Sequence, residues 1–464
     1  MHLDPLLLSR IQWAWVIGWH ILLPAFTVGL ASYIAVLEGL FFFTGWEHWF
    51  RISRFWTRIF SVSFAMGVVS GIIMPFQFGT NWSRFSDAAA NVISPMLAYE
   101  DLMAFFLEAT FLGVLLFGRH LVPRWVHFLA ACMVAIGTLF SSFWILSVNS
   151  WMQTPAGYEV REGRFFPTDW MAAIFNPSFP YRLAHNVSAF YVTTGFAVLG
   201  VSAYLVRGRT FAAEGQRTMR MALGFLTVFV PLQIVLGDMH GLNTREYQPA
   251  KLAAIEGRYD TASPAPLTLI GIPNSRTERM DYAVELPWLG SLILTHSLHG
   301  EIHGLKDFPP DQRPPVGLVF YAFRIMVGIG FAMLGIIGMA WWLRWRGRLF
   351  ESGWFLQLCQ WAAPSGFVAV LAGWTTTEVG RQPWTIYGLM RTEHAVSPSL
   401  TGSDVMWSLL AYISVYLLMY PAGIAVMARI VRQGPREDAM TPHPVEALQP
   451  RAPIAGAPVT RPAE

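Results

Sequence analysis

The chain has 464 residues; 54% are hydrophobic, 15% aromatic and only 13% charged, against about 25% charged in an average soluble domain. With a mean hydropathy of +0.42 and a net charge of only +3, this argues against a soluble enzyme, a disordered chain and a nucleic-acid binder. Both cysteines, Cys132 and Cys359, sit in apolar runs, so a disulfide framework and a cysteine-held zinc or iron–sulfur site are excluded and a polytopic membrane protein remains.

A membrane helix needs roughly 20 mostly apolar residues. Nine such runs occur, near 12–43, 57–79, 95–117, 126–150, 185–206, 218–238, 317–343, 356–380 and 404–428. Many tryptophans fall where these runs end, as in the aromatic belts of membrane interfaces. The first run is long enough to tilt or to project beyond the bilayer. It is too long for a cleavable signal peptide and lacks a basic leader. Arginines gather in alternate loops: Arg51, Arg54 and Arg58, then Arg119 and Arg124, then three further groups ending at Arg436. The positive-inside rule puts those loops and the C-terminus in the cytoplasm, and the N-terminus outside. Residues 239–316 form a long polar loop on the outer side, with a helix-like stretch Lys251-Leu-Ala-Ala-Ile-Glu256. Loops of that length are usually functional or disordered. Residues 1–436 thus read as one nine-helix membrane domain, and the Pro-rich tail 437–464 as disordered and cytoplasmic.

Charged groups at membrane depth cost several kcal/mol unless paired or functional. Here they are His20 in helix one; Glu100, Asp101 and Glu108 in helix three; His185 opening helix five; Asp238 ending helix six; Arg324, beside Met326, in helix seven; and Glu378 and Arg381 at the end of helix eight. By orientation and helical rise, His20, Glu100, His185, Met326 and Glu378 all fall in the outer half of the bilayer. Glu108 lies about 12 Å further in and turned about 80° from Glu100, so both carboxylates can border one channel. His, Met and Glu at one depth, with a carboxylate leading inward, suggest a redox metal near the outer face and proton supply from the inner face.

Taken singly, each has a plainer reading. A lone buried histidine is more often a hydrogen-bonded core residue, and a lone methionine more often packing. Glu378 could simply pair with Arg381. Glu100 and Asp101 could hydrogen-bond across helices. Lys251 and Glu256 could lie on a solvated loop helix.

Seven strings decide between these readings: Ser9-Arg-Ile-Gln12 before His20, Phe76-Gln-Phe-Gly-Thr-Asn-Trp-Ser83, Met103-Ala-Phe-Phe-Leu-Glu108, Trp151-Met-Gln153, Lys251-Leu-Ala-Ala-Ile-Glu256, Phe323-Arg-Ile-Met326 and Gly380-Arg-Gln-Pro-Trp384. With them the sequence resembles subunit I of the cytochrome bd family of quinol oxidases. The resemblance implies oxidation of ubiquinol or menaquinol coupled to reduction of O2 to water in the bacterial cytoplasmic (inner) membrane. It implies two haem b groups, one low-spin and one high-spin, and either haem d or a third haem b. His185 and Met326 then look like the axial ligands of the low-spin haem. His20 and Glu378 look like the proximal ligands of the two high-spin haems, in an order left open. Glu100 resembles an acid at the oxygen-reducing haem, as ligand or proton donor. Glu108, with Ser141, resembles the proton route, and Lys251 and Glu256 the quinol contacts. Arg324 and Arg381 would stabilise haem propionates or reduced states, and Trp374 would sit between haems. The fold would be two four-helix groups plus one peripheral helix. It would pair with a homologous subunit II, with or without a single-helix small subunit, in membrane lipid. Protons from quinol would leave outside and those for water come from inside through Glu108, separating charge without a pump.

The chemistry agrees with that distribution. A His/Met pair closes both axial positions and suits electron transfer, while a single His or Glu leaves a position for oxygen. Lys251 and Glu256, five residues apart, subtend about 140° on a helix and would pair poorly with each other. Gly271-Ile-Pro273 reaches helix seven in about 45 residues, which resembles the short-loop branch that includes cyanide-insensitive oxidases. A membrane haem anchor for a soluble dehydrogenase would need His/His pairs, and histidines are too sparse in these runs. A secondary transporter would show broken helices in paired halves and no haem colour.

Overall fold

The computed structural model describes residues 4–436. Among the described residues nine helices are long and apolar enough to cross a membrane: Pro5–Thr44, Glu47–Thr80, Ser83–His120, Arg124–Gln153, Phe179–Gly208, Ala212–Tyr247, Val316–Trp345, Gly353–Val379 and Gly402–Gln433, in chain order spans one to nine. The protein is an all-α membrane protein; the described residues add three small hairpins between spans and one isolated bridge, Ala262 with Ile302. The tail 437–464, expected to be disordered, lies outside the described residues.

Every span covers its predicted apolar run except at Gly380, one residue past span eight, and several overrun it. Span two begins at Glu47, and its Arg51 pairs with Glu214 at 3.0 Å. Span three begins at Ser83, and its first turns carry Asp87, which pairs with Arg164 at 2.8 Å. Hydropathy marks only the lipid-facing part, and the helix continues where neighbours satisfy its polar side chains. Two expectations are corrected for this reason. Span six runs on to Tyr247, so Asp238 is well inside the helix and the long loop starts at 248, not 239. His185 lies in the second turn of span five, not at its opening.

Three spans are locally broken. Pro24 has no N–H to give the His20 carbonyl, and its ring crowds that oxygen, so span one breaks just after His20, at Ile21. Span eight breaks between Ala362 and Ser365, at Pro364. Span three passes through a π-helical turn, Glu100–Phe105. Such turns are rare and frequent at functional sites.

Span five is central and packs against spans one, four, six and eight. The main core, with Leu30, Ile34, Trp56, Phe60, Phe196, Leu226 and Phe355 among its members, joins these helices. At the end of the bundle opposite the long loop, buried Glu38 knots spans one to four. It accepts hydrogen bonds from Ser53, from Arg119 at 2.6 Å and from His127 Nδ1 at 3.1 Å, while His127 Nε2 donates to the Leu115 carbonyl. Leu417 and Leu418 on span nine are exposed, as expected for a lipid face.

The long loop is folded. Its helix Pro249–Glu256 ends on Gly257 at φ +65° and is followed by the hairpin Leu267–Asn274 with Arg279–Leu286. Ala253, Ala254 and Ile255 pack with Val316 and Val319 of span seven. The loop helix is therefore docked, not solvated: Lys251 and Glu256 are each only 4% exposed.

Candidate active site

One cavity of about 2230 Å³ opens between the spans under the loop helix. Its wall includes His20, Glu100, Glu108, His185, Lys251, Glu256, Arg324, Met326, Trp374, Glu378 and Arg381, which is every candidate residue read from the sequence, and also Ser141, Asp101 and Asp238. Drug-sized pockets occupy roughly 300–1,000 Å³, so this space suits more than one large ligand.

His20 sits at the break in span one. Ser70 of span two gives its hydroxyl hydrogen to the Met66 and Gly67 carbonyls, at 3.0 and 3.1 Å. Its oxygen can then accept from His20 Nδ1, 2.9 Å away. In that arrangement Nδ1 carries the proton and the Nε2 lone pair is left for a metal, as partners of ligating histidines commonly arrange. His185 is held by Gln233 Nε2, 3.2 Å from its Nδ1, and its ring centroid lies 5.5 Å from that of His240. Three glycines leave room at the donor side chains. A Cβ on Gly71 would stand 3.2 Å from His20 Cε1, one on Gly237 3.2 Å from His185 Cε1, and one on Gly373 2.8 Å from Met326 Sδ.

Glu378 ends span eight among polar groups. Its Oε1 accepts from Asn149 at 3.0 Å and Gln153 at 3.3 Å, and its Oε2 from Arg381 at 2.5 Å. Arg182 lies 3.9 Å away and also bonds Asn149. The pair with Arg381 is thus present; Oε1 has both lone pairs engaged, and Oε2 keeps one lone pair in reserve. Asn149, Gln153 and Arg182 were not singled out from the sequence as site residues; Gln153 stood only within a matching string.

Glu100 opens the π turn and accepts from Ser141 at 2.7 Å. Glu108 is 7% exposed, and its Oε1 has no hydrogen-bond partner among the described residues. At the loop end, Lys251 Nζ donates to Gln153 Oε1 and Gln248 Oε1, both at 2.6 Å. Burial holds the lysine well below its ordinary pKa range, and nearby Arg182 and Arg381 lower it further against the pull of Glu378. Glu256 turns the other way and pairs with Arg324 at 3.1 Å, two residues before Met326. Lys251 and Glu256 do not pair with each other, as their angular separation requires.

The sequence profile of the cytochrome bd terminal oxidase subunit I family matches residues 8–435. The chain belongs to that family. It is 33% identical over 447 residues to cytochrome bd ubiquinol oxidase subunit 1 of Bacillus subtilis strain 168, covering 94% of this chain and 95% of the relative. It is 32% identical over 501 residues to cytochrome bd-II ubiquinol oxidase subunit 1 of Escherichia coli K12, covering 93% and 97%. The bd oxidase structure from Geobacillus thermodenitrificans superposes with a TM-score of 0.85 at 32% identity, covering 93% of this chain and 99% of that one.

The cytochrome bd family implies haem, and the residues present fit it. Among the described residues no three His, Cys, Asp or Glu side chains converge as a bare metal ion would need. A porphyrin supplies four of the iron's donors itself and asks the protein for one or two, which is what His20, His185, Met326 and Glu378 offer. On the same wall, Arg182 Nε and Arg381 Nε are buried without a partner among the described residues, as groups awaiting anionic propionates would be.

Proposed function

We propose that this chain is the haem-bearing subunit of a terminal oxidase that oxidises quinol and reduces O2 to water. Membership of the cytochrome bd family makes it a membrane oxidoreductase acting on quinol. The observation that supports the finer reading is one shared cavity, whose wall holds donors from separate spans, the buried Lys251 and Glu108, whose Oε1 has no hydrogen-bond partner among the described residues. His185 and Met326 would hold a low-spin haem, and His20 and Glu378 the two high-spin haems. When bound, these haems supply electron transfer and oxygen reduction.

The chain's own groups handle position and protons. Lys251, lowered in pKa by burial, takes a proton from the quinol head group or hydrogen-bonds its oxygen. Glu256 fixes Arg324, and through it the start of span seven. Arg182 and Arg381 offer N–H groups to propionates. Trp374 lines the wall between donors. Glu108 holds a proton in a nearly dry site and passes it toward Glu100, which Ser141 orients. The long loop and N-terminus face outside and the C-terminus the cytoplasm, so quinol protons and water protons belong to opposite sides. A subunit II, with or without a small subunit, completes the complex in lipid of the bacterial cytoplasmic membrane.

The test is a dithionite-reduced minus oxidised spectrum of the purified complex with pyridine haemochrome quantitation. A chlorin band beside b-type bands places haem d in one high-spin site. Only b-type bands, at three haems per complex, assign the third site to haem b. An intact complex without haem refutes the reading.

A further inference from the structure

Gln153 ends span four and belongs to the Trp151-Met-Gln153 string, which the function above leaves without a task. It is 1% exposed and stands behind the cavity wall. Its amide faces two ways. Oε1 accepts from Lys251 Nζ at 2.6 Å and from Gln248 Nε2 at 3.0 Å, while Nε2 donates to Glu378 Oε1 at 3.3 Å. This orientation is dictated by chemistry. A carboxylate can only accept, so the amide nitrogen must face the glutamate, which turns the amide oxygen toward the lysine. The lysine stem is pressed against the end of span eight as well: a Cβ on Gly380 would stand 2.9 Å from Lys251 Cγ.

We propose that Gln153 is a positioning residue that couples the loop lysine to the Glu378 carboxylate. The proposal rests on the reading of Lys251 as a quinol contact and of Glu378 as a haem-iron ligand. When Lys251 turns toward a quinone oxygen, it leaves Gln153 Oε1. The amide is then held on that side only by Gln248 and reorients. Glu378 keeps Asn149 and Arg381 but loses the firm placement of its third donor. Occupancy of the loop site is thereby felt at the carboxylate without contact between quinol and Glu378. Buried polar networks transmit such changes because every partner is already committed.

The experiment uses the detergent-solubilised complex and heptyl hydroxyquinoline N-oxide as a quinone-like probe. Probe binding is measured directly, and the midpoint potentials of the haems are followed spectroscopically with and without saturating probe. In the unmodified complex the probe should shift the potential of a high-spin haem. Gln153→Met keeps the volume and removes all three side-chain hydrogen bonds; Gln153→Asn keeps the amide but shortens its reach. Each should bind the probe, retain the low-spin spectrum and lose most of the shift, and either alone decides the matter should the other fail to assemble. A shift of full size in either variant would overturn the coupling, as would no shift in the unmodified complex with probe bound. Probe affinity unchanged by Lys251→Ala would remove the loop reading itself, a failure distinguishable from that of the bridge.

Discussion

Met326 would pass unnoticed in most membrane helices, where a thioether packs and does nothing else. Here its sulfur faces Gly373, a position at which even a methyl group would intrude. Replacing it with leucine keeps the volume and removes the donor. The low-spin band in the reduced minus oxidised spectrum should be lost or displaced, and an unchanged band would exclude Met326 as a ligand. Lys251 gives a pH-dependent prediction. Burial lowers its pKa, so the folded protein binds fewer protons there than the unfolded chain does, and this group's contribution to stability rises with pH up to the ordinary lysine pKa of about 10.4. Under the proposed role of Lys251 as proton acceptor, the same shift bears on catalysis, because only the neutral amine can accept a proton. Quinol turnover should therefore rise with pH as the amine loses its proton, below the ordinary lysine range. Lys251→Met should flatten that limb and cut quinol turnover at least tenfold, while turnover with an artificial electron donor persists. Equal loss with both donors would count against the loop site. The residues legible in sequence were those whose charge or donor atom is costly in a membrane. Ser70, Asn149 and Gln153 carry no such cost, and their roles exist only through partners brought from other spans.

At the scale of helices, the π turn at Glu100–Phe105 sets the relation between two carboxylates. The sequence placed Glu100 and Glu108 by regular helical geometry, which has no signal for one residue too many in a turn. Deleting Leu102 should convert the segment to a regular helix and turn Glu100 by about 100° relative to Glu108. Oxygen-reducing turnover should fall by an order of magnitude or more with the low-spin spectrum intact, and retained turnover would make the turn incidental. The knot at Glu38 bears on stability. Glu38→Gln leaves Arg119 and the His127 ring without their carboxylate, and breaking a buried ion pair costs about 3–5 kcal/mol. Thermal unfolding of the solubilised complex should move down clearly, with haem content per folded complex unchanged; an unaltered transition would show the knot to be energetically idle. Helix existence was legible because apolar runs of bilayer length have few other meanings. Helix ends were not, because Arg51 and Asp87 continue their helices only where Glu214 and Arg164 come to meet them.

For the whole molecule, the sequence reading collected residues scattered from 20 to 381, and the fold puts them on one wall. Their convergence was legible only through resemblance, since depth along a helix says nothing about which face it turns inward. The burial of the loop helix was not legible at all: Lys251-Leu-Ala-Ala-Ile-Glu256 has the composition of a surface helix, and only docking on span seven hides it. An amide between Lys251 and Glu378 has a consequence for energy conservation. A side-chain amide transmits orientation but has no acidic proton to pass on near neutral pH, so under the proposed function Gln153 would act as an insulator between a site that discharges protons to one side and a site that consumes them from the other. A carboxylate at the same place would be a conductor. Gln153→Glu should therefore keep turning over quinol in sealed vesicles yet build a smaller membrane potential per electron, the leak running through the protein instead of the lipid; an undiminished potential would mean that the barrier lies elsewhere.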